Sequence, residues 1–120
     1  MEKLTFQEEE IMLIVWQLKE GVIKDFLLQM KEPRPPYTTV ASIVKNLEKK
    51  GYVVGKRYGN IYVYRPAVDE NEYKSKFMSG VVRDYFADSY KELVTFFAKK
   101  RKISAADLQE IIRMIEEDKQ

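Results

Sequence analysis

Three of the four prolines stand within four positions, at Pro33, Pro35 and Pro36, and they separate two helical patterns. Proline lacks a backbone N–H donor and its ring clashes with the preceding turn, so no helix continues through this stretch. We expect a rigid turn here that sets the angle between the helices on either side. A polyproline ligand for a partner domain, formed by Pro35, Pro36 and Tyr37, is the less favoured alternative.

Two helices are predicted before the prolines. Thr5 and Glu8 have the spacing of a capping box, which starts a helix at about Thr5, and Gly21 stands where a glycine would end it. The apolar residues of this helix are dense enough for a buried element: Phe6, Ile11, Leu13, Ile14, Val15, Trp16 and Leu18. A shorter helix over 23–30 follows, because its apolar residues share one helical face.

A third helix and a β-hairpin are predicted after the prolines. The helix covers Thr38–Lys50 and ends at Gly51, and its apolar face repeats with helical spacing. Beyond Gly51 the sequence becomes rich in β-branched and aromatic residues on both sides of Gly59-Asn60, which is a turn signal. The second strand ends at Pro66. We therefore expect one hairpin with a basic tip over 56–60.

Basic residues are concentrated in the middle of the chain. The whole chain has 21 basic and 19 acidic residues, but residues 31–66 hold 8 basic and 2 acidic ones, a local excess of +6. Such an excess is expected of a surface that binds a polyanion. A solvated basic face without a ligand is the alternative that charge alone leaves open.

The absence of cysteine and histidine excludes several classes of site. Disulfides, thiolate or imidazole metal sites, and Cys–His or Ser–His–Asp catalysis all require one of these residues. The sequence has no phosphate-binding glycine loop and no catalytic carboxylate pair, so we expect no catalytic residue, metal or cofactor. The longest apolar run, 11–16, is too short to span a bilayer, and the N-terminus has no signal-peptide pattern. A cytoplasmic protein without a membrane segment is therefore expected.

The order helix, short helix, helix and hairpin is typical of a winged helix-turn-helix domain. We predict a mainly α-helical chain with a small β-hairpin, in which residues 1–67 form this domain and residues 68–120 form a helical dimerisation region. In a winged helix the third helix enters the major groove of DNA, and we expect the wing to contact the backbone or the minor groove. The predicted DNA contacts are Thr38, Thr39, Ser42, Lys45, Asn46, Lys49 and Lys50 on the helix, and Lys56, Arg57, Tyr58 and Asn60 on the wing.

These residue types suit different parts of a duplex. The hydroxyl groups in the first turn of the helix can bond phosphates or bases, and Asn46 has the shape to pair with adenine. Lys49 and Lys50 suit phosphates, although they could instead stabilise the negative end of the helix dipole. Tyr58 could stack on the duplex or pack on its own hairpin.

Three further helices are predicted after Pro66: over 69–87, from Ser89 to about Lys100, and from Ser104. They carry more large apolar side chains than about 50 residues can bury alone. A symmetric dimer is the expected solution, and its two-fold axis suits a palindromic DNA site. Packing against the N-terminal domain of the same chain is the alternative. The predicted dimer residues are Tyr73, Phe77, Val81, Tyr85, Leu93, Phe96, Phe97, Leu108, Ile111, Ile112 and Ile115.

Four stretches resemble the penicillinase-repressor family (BlaI/MecI/CopY type). The first, 4–16, resembles the family's opening helix through Leu4-Thr5, Glu8-x-Glu10-Ile11-Met12 and Val15-Trp16. The second, 38–53, resembles the recognition helix and the start of the wing. The third, 59–66, resembles the far side of the wing, and the fourth, 93–97, resembles the segment before the last helices. Together, in this order and spacing, they cover almost the whole chain.

The resemblance implies a dimeric winged-helix repressor that binds a palindromic operator in double-stranded DNA. For some members it also implies a signalling protease as a partner, since a membrane-bound sensor triggers cleavage in the dimerisation region. Ser42 stands where the family usually has Thr, and Asn46 where it usually has Arg, so we expect a different operator sequence. The cleaved Asn–Phe bond would fall at Phe96-Phe97, where asparagine is absent. The C-terminal cysteines of copper-responsive members are absent as well.

Two other functions are alternatives to a DNA-binding repressor. A winged helix can bind proteins instead of DNA, and fold alone does not decide between the two. The +6 excess over 31–66 favours DNA, because a protein partner would not require it. An enzyme would have to use Asp, Glu, Lys or Tyr as its acid and base. The acidic clusters, 8–10 and 116–118, are instead typical of solvated helix faces.

Overall fold

The computed structural model describes residues 1–118 of the chain. Within them lie six helices and one antiparallel hairpin, and the first three helices with the hairpin have the winged-helix order predicted from the sequence. The elements are α1 (Phe6–Leu18), α2 (Ile23–Leu28), α3 (Tyr37–Lys49), β1 (Val53–Tyr58), β2 (Ile61–Pro66), α4 (Glu70–Tyr85), α5 (Tyr90–Lys99) and α6 (Ala105–Glu117).

Two compact units make up the chain, Met1–Tyr73 and Lys74–Gln120. The first unit extends six residues beyond the predicted boundary at 67, because Val68 and Tyr73 pack against its core. This core joins the first three helices to the hairpin. Its buried members are Leu4, Ile11, Met12, Val15, Trp16, Phe26, Met30, Val40, Ile43, Val44, Leu47, Tyr52, Val53 and Tyr64.

α1 begins at the predicted capping box. Thr5 Oγ1 accepts a hydrogen bond from the Glu8 N–H at 3.2 Å, and the Thr5 N–H donates to Glu8 Oε1 at 2.8 Å. The expectation of a buried helix holds for one side of α1 only. Phe6 and Leu13 are 84% and 50% exposed, because only the side of α1 that carries Ile11 and Val15 meets the other helices.

The end of α1 also differs from the prediction, since Gly21 is not its cap. The helix stops at Leu18 because Lys19 adopts a left-handed φ of 73°. Gly21 instead pairs with Tyr64 of β2. Its N–H donates to the Tyr64 carbonyl at 3.0 Å, and its carbonyl accepts from the Tyr64 N–H at 2.8 Å. The residues after α1 thereby join the hairpin to the helical part of the first unit.

The prolines lie in the turn between α2 and α3, as predicted. α2 ends at Leu28 instead of Met30, and Arg34 binds the carbonyls freed there. Its Nε donates to the Met30 carbonyl at 3.0 Å and its Nη2 to the Leu28 carbonyl at 3.1 Å. α3 begins at Tyr37, one residue earlier than predicted, because the extended Pro36 occupies the position before the first helical residue.

The hairpin has the predicted strands and a shorter tip than predicted. Tyr58 lies opposite Ile61, so the turn consists of Gly59 and Asn60 alone. Gly59 has a φ of 61°, which a two-residue hairpin turn requires and which glycine adopts without strain. Residues 56–58, predicted to lie at the tip, belong to β1.

The second unit is a set of helices with very little buried surface. α4 and α5 end within two residues of their predicted bounds, and Ser89 and Ser104 cap α5 and α6 as predicted. Among the described residues of this unit, Val82 alone is buried. α5 and α6 have no buried residue, although both have a strongly apolar face.

Candidate nucleic-acid interface

α3 separates its buried and polar residues cleanly. Its apolar face, Val40, Ile43, Val44 and Leu47, is buried in the core of the first unit, as predicted. The opposite side carries the predicted DNA contacts, and five of them are exposed while Thr39 is half-buried. The exposed ones are Thr38, Ser42, Lys45, Asn46 and Lys49. The first unit therefore presents one continuous row of hydroxyl, amide and ammonium groups to solvent.

Lys50 does not belong to this polar row. Its ammonium nitrogen lies 2.6 Å from Glu8 Oε1 and 3.2 Å from the Lys3 carbonyl oxygen, so it binds the start of α1. Glu8 is buried, at 4% exposure. Burial opposes its ionisation, but the hydrogen bonds from Lys50 and Thr5 outweigh this effect and lower the pKa of the carboxyl group. Lys50, which was predicted to contact phosphate, therefore forms a structural ion pair with Glu8 in the folded chain.

Two of the wing's cations, Lys56 and Arg57, lie on β1 beside the turn. Lys56 Nζ lies 5.3 Å from the centre of the Tyr58 ring, and Arg57 Nε donates to the Gly59 carbonyl at 2.8 Å. Both contacts are local to the hairpin, so they hold the cations close to the turn. Tyr58 is 52% exposed, so its ring has not withdrawn into the core.

A contact between α3 and the wing was not predicted from the sequence. Lys45 Nζ lies 5.8 Å from the centre of the Tyr62 ring, which is the distance of a weak cation–π contact. Tyr62 in turn stacks on Tyr64 at 6.3 Å, and Tyr64 is buried. The amino-acid sequence marks Tyr62 only as a strand residue, because its partner lies 17 positions earlier on another element. This chain of contacts joins the polar row of α3 to the wing.

Four cations of the predicted DNA contacts remain available to an anion. They are Lys45, Lys49, Lys56 and Arg57, all exposed, and none forms an ion pair within residues 1–118. The amide of Asn46 and the hydroxyl of Ser42 lie among them on the same face of α3. Cations that carry no internal carboxylate partner can neutralise phosphates, and the amide and hydroxyl groups can bond base edges.

Tyr73, which was predicted to lie in the dimer interface, packs against the core of the first unit. Its hydroxyl donates to Glu9 Oε2 at 2.6 Å, and its ring lies 5.2 Å from Trp16 and 5.9 Å from Tyr52. Burial raises the pKa of the Tyr73 hydroxyl, and the Glu9 carboxylate raises it further. Trp16 Nε1 also donates to the Val68 carbonyl at 2.9 Å. The start of α4 is therefore bound to the first unit.

The other predicted dimer residues lie in the second unit, and their side chains are only half-buried or exposed. Val81, Leu93 and Leu108 are half-buried. The remaining seven are exposed: Phe77, Tyr85, Phe96, Phe97, Ile111, Ile112 and Ile115. Isolated exposed apolar residues are common in proteins, but an extensive apolar patch marks a binding surface.

Neither a metal centre nor a membrane-spanning helix is found in the described part of the chain. No group of His, Cys, Asp or Glu side chains within residues 1–118 could hold a metal ion. Each helix within the same residues is too short or too polar to cross a membrane.

Comparison with known proteins gives a family match over nearly the whole chain. Residues 4–117 match the family model described as penicillinase repressor. The methicillin resistance regulatory protein MecI of Staphylococcus aureus (strain N315) is 24% identical over 111 residues, which cover 91% of this chain and 89% of MecI. The penicillinase repressor of Bacillus licheniformis is 20% identical over 113 residues, which cover 93% and 88%.

Two solved structures match nearly the whole chain at low sequence identity. The C30AH42A mutant of ZitR from Lactococcus lactis has a TM-score of 0.49 at 15% identity, and the match covers 99% of this chain and 77% of ZitR. A second structure of ZitR, titled a zinc-responsive MarR family member, has a TM-score of 0.47 at 17% identity.

Proposed function

Because the chain belongs to the penicillinase-repressor family, whose members are winged-helix transcriptional regulators, we propose that it represses transcription as a homodimer on a palindromic operator. α3 is the recognition helix in the major groove, and the wing contacts the backbone or the minor groove. A repressor acts where its operator lies, so the proposal includes a cytoplasmic location.

One observation carries the DNA-binding part of this proposal. The exposed side of α3 and the adjoining wing hold, among other cations, Lys45, Lys49, Lys56 and Arg57, none of which is in an ion pair within the described residues. Phosphate neutralisation supplies most of the affinity of such a surface, and it makes binding depend steeply on salt.

Sequence discrimination is proposed to come from the uncharged groups of the polar row. The Asn46 amide can form two hydrogen bonds with the edge of an adenine, and the Ser42 hydroxyl can form one with a base or a phosphate. Lys45, held over Tyr62, lies beside both and supplies charge without requiring one particular base. A good two-point contact to a base contributes about 1–3 kcal/mol of discrimination against the wrong base.

The homodimer part is supported by the exposed apolar surface of the second unit. α5 and α6 contain no buried residue, so a large apolar area would face water in a monomer. A two-fold dimer covers this area and presents two recognition helices to two half-sites.

The proposal is tested by titrating the protein against two labelled duplexes and recording fluorescence anisotropy at several salt concentrations. One duplex comes from upstream of the protein's own gene and the other has the same bases in scrambled order. We expect the native duplex to bind at least ~10³-fold more tightly, with an affinity that falls steeply as salt is raised.

Each other outcome contradicts a different part of the proposal. Equal, weak binding to both duplexes at low salt would contradict sequence-specific repression at this site. A failure to bind either duplex would favour the alternative, a winged-helix module that binds proteins.

A further inference from the structure

Two blocks of opposite charge stand at the two ends of α6, and the proposed DNA interface uses neither. The basic block, Lys99–Lys102, precedes the helix, and the acidic block, Glu116–Asp118, ends it. Every side chain in both blocks is exposed. Within residues 1–118, no member of either block forms an ion pair.

The two blocks cannot neutralise each other within one protomer. α6 has 13 residues and is therefore about 20 Å long, at about 1.5 Å per residue. Acidic neighbours also do little to reduce the charge of the basic block. Asp107, the acidic residue nearest the basic block, accepts the Ser104 N–H at 3.2 Å in the capping box of α6, so its carboxylate is already engaged.

An apolar stripe runs along α6 between the two blocks. It consists of Leu108, Ile111, Ile112 and Ile115, which follow one another at helical spacing and share one face. Leu108 is half-buried and the three isoleucines are between 46% and 56% exposed. Such a stripe needs a covering surface of similar length.

The charges indicate what covers the stripe. If a two-fold axis pairs α6 with its copy in parallel, the two acidic blocks meet each other and the two basic blocks do the same. If the helices are antiparallel, each basic block meets the acidic block of the other protomer. We propose that two copies of this chain pair through α6 in the antiparallel orientation, with ion pairs between the blocks at both ends. This inference rests on the proposed homodimer and specifies its geometry.

The positions of the acidic residues around α6 provide an internal control. Glu116 follows Ile112 by four residues and Asp118 follows Ile115 by three, so both border the apolar stripe. Glu117 follows Glu110 by seven residues and Arg113 by four, which puts all three on the polar face. Only Glu116 and Asp118, here called the bordering pair, lie close to a second copy of the chain packed on the stripe.

The test compares two double variants that change the net charge by the same amount. One reverses the bordering pair, Glu116→Lys with Asp118→Lys, and the other reverses the polar face, Glu110→Lys with Glu117→Lys. The dimer dissociation constant is measured by sedimentation equilibrium at low and high salt. At low salt we expect the bordering variant to dissociate about tenfold more readily than the wild type, and the polar-face variant to change less than about twofold.

A compensating variant separates this geometry from a general effect of charge. Adding Lys100→Glu, Arg101→Glu and Lys102→Glu to the bordering variant gives the basic block a net negative charge opposite an acidic block that is now net positive, so we expect dimerisation to return toward the wild-type level. Circular dichroism spectra must show unchanged helicity in every variant that is compared.

The results distinguish the geometry from the homodimer itself. Equal weakening by both double variants, or no recovery in the compensating variant, would overturn the antiparallel arrangement while leaving the dimer in place. A wild-type protein that stays monomeric at high concentration would overturn the homodimer proposal and this inference with it.

Discussion

The ammonium group of Lys50 and the carboxylate of Glu8 lie 2.6 Å apart, although 41 residues separate them in the chain. The pair connects the end of α3 to the start of α1, where Glu8 also completes the capping box with Thr5. One carboxylate therefore stabilises a helix N-terminus and holds two elements of the first unit together.

The Glu8 ion pair predicts a loss of stability in acid. The pKa of Glu8 is lowered in the folded state, so its contribution is fully present above the pKa of the unfolded chain. That contribution is lost as the pH falls through the lower, folded-state pKa. We expect Glu8→Gln to lower the free energy of unfolding by about 1–3 kcal/mol at neutral pH, and the difference from wild type to shrink in acid. Urea denaturation at a series of pH values measures this, and a constant difference would contradict it.

Adjacent lysines at the end of α3 are expected to affect different properties. Lys50→Ala leaves Glu8 without its cation, so the variant should be less stable while its DNA affinity keeps the wild-type dependence on salt. Lys49→Ala should leave stability unchanged and reduce the slope of log affinity against log salt by about 1, because Lys49 is exposed and contacts phosphate in the proposal. Denaturation and anisotropy titrations on both variants test this pair. An equally reduced slope of log affinity against log salt in both variants would show that Lys50 also contacts DNA.

Lys45 and Asn46 are neighbours on the polar row, and we expect them to differ in what they recognise. Lys45→Ala should weaken binding to native and scrambled duplexes alike, since it removes charge. Asn46→Ala should weaken binding to the native duplex selectively, at a cost of about 1–3 kcal/mol. Competition between the two duplexes measures the ratio of affinities. An unchanged ratio in Asn46→Ala would show that this residue does not select the base.

Tyr73 is expected to stabilise the first unit and not the dimer. Tyr73→Phe removes the hydroxyl that donates to Glu9, which should lower the free energy of unfolding by about 0.5–1.5 kcal/mol. Tyr85→Phe is the matched control on the same helix, because Tyr85 is 79% exposed, and it should change stability very little. Sedimentation equilibrium should give the wild-type dimer dissociation constant for Tyr73→Phe. A weaker dimer would restore Tyr73 to the interface.

The sequence predicts those features that a single element determines. The apolar face of α3 and its polar opposite follow from helical spacing within 13 residues, and the capping box of α1 follows from Thr5 and Glu8, which are three residues apart. These local signals are enough to give the order of elements and the exposed candidates Ser42, Lys45 and Asn46.

Features that depend on distant partners could not be predicted in the same way. Lys50 has the same charge as Lys49, and only the folded chain brings Glu8 to one of them. Tyr73 continues the spacing of Phe77, Val81 and Tyr85, yet Glu9 and Trp16 bind it to the first unit. Spacing along one helix shows which side is apolar and does not show which neighbour covers it.

The buried indole of Trp16 gives the first unit its own optical signal. Trp16 is the single tryptophan of the chain, and its Nε1 donates to the Val68 carbonyl while its ring contacts Tyr73. Its emission therefore changes when the winged helix separates from the residues that lead into α4, and the second unit contributes no tryptophan emission of its own. Fluorescence can follow the unfolding of one unit while circular dichroism, dominated by helices, follows both.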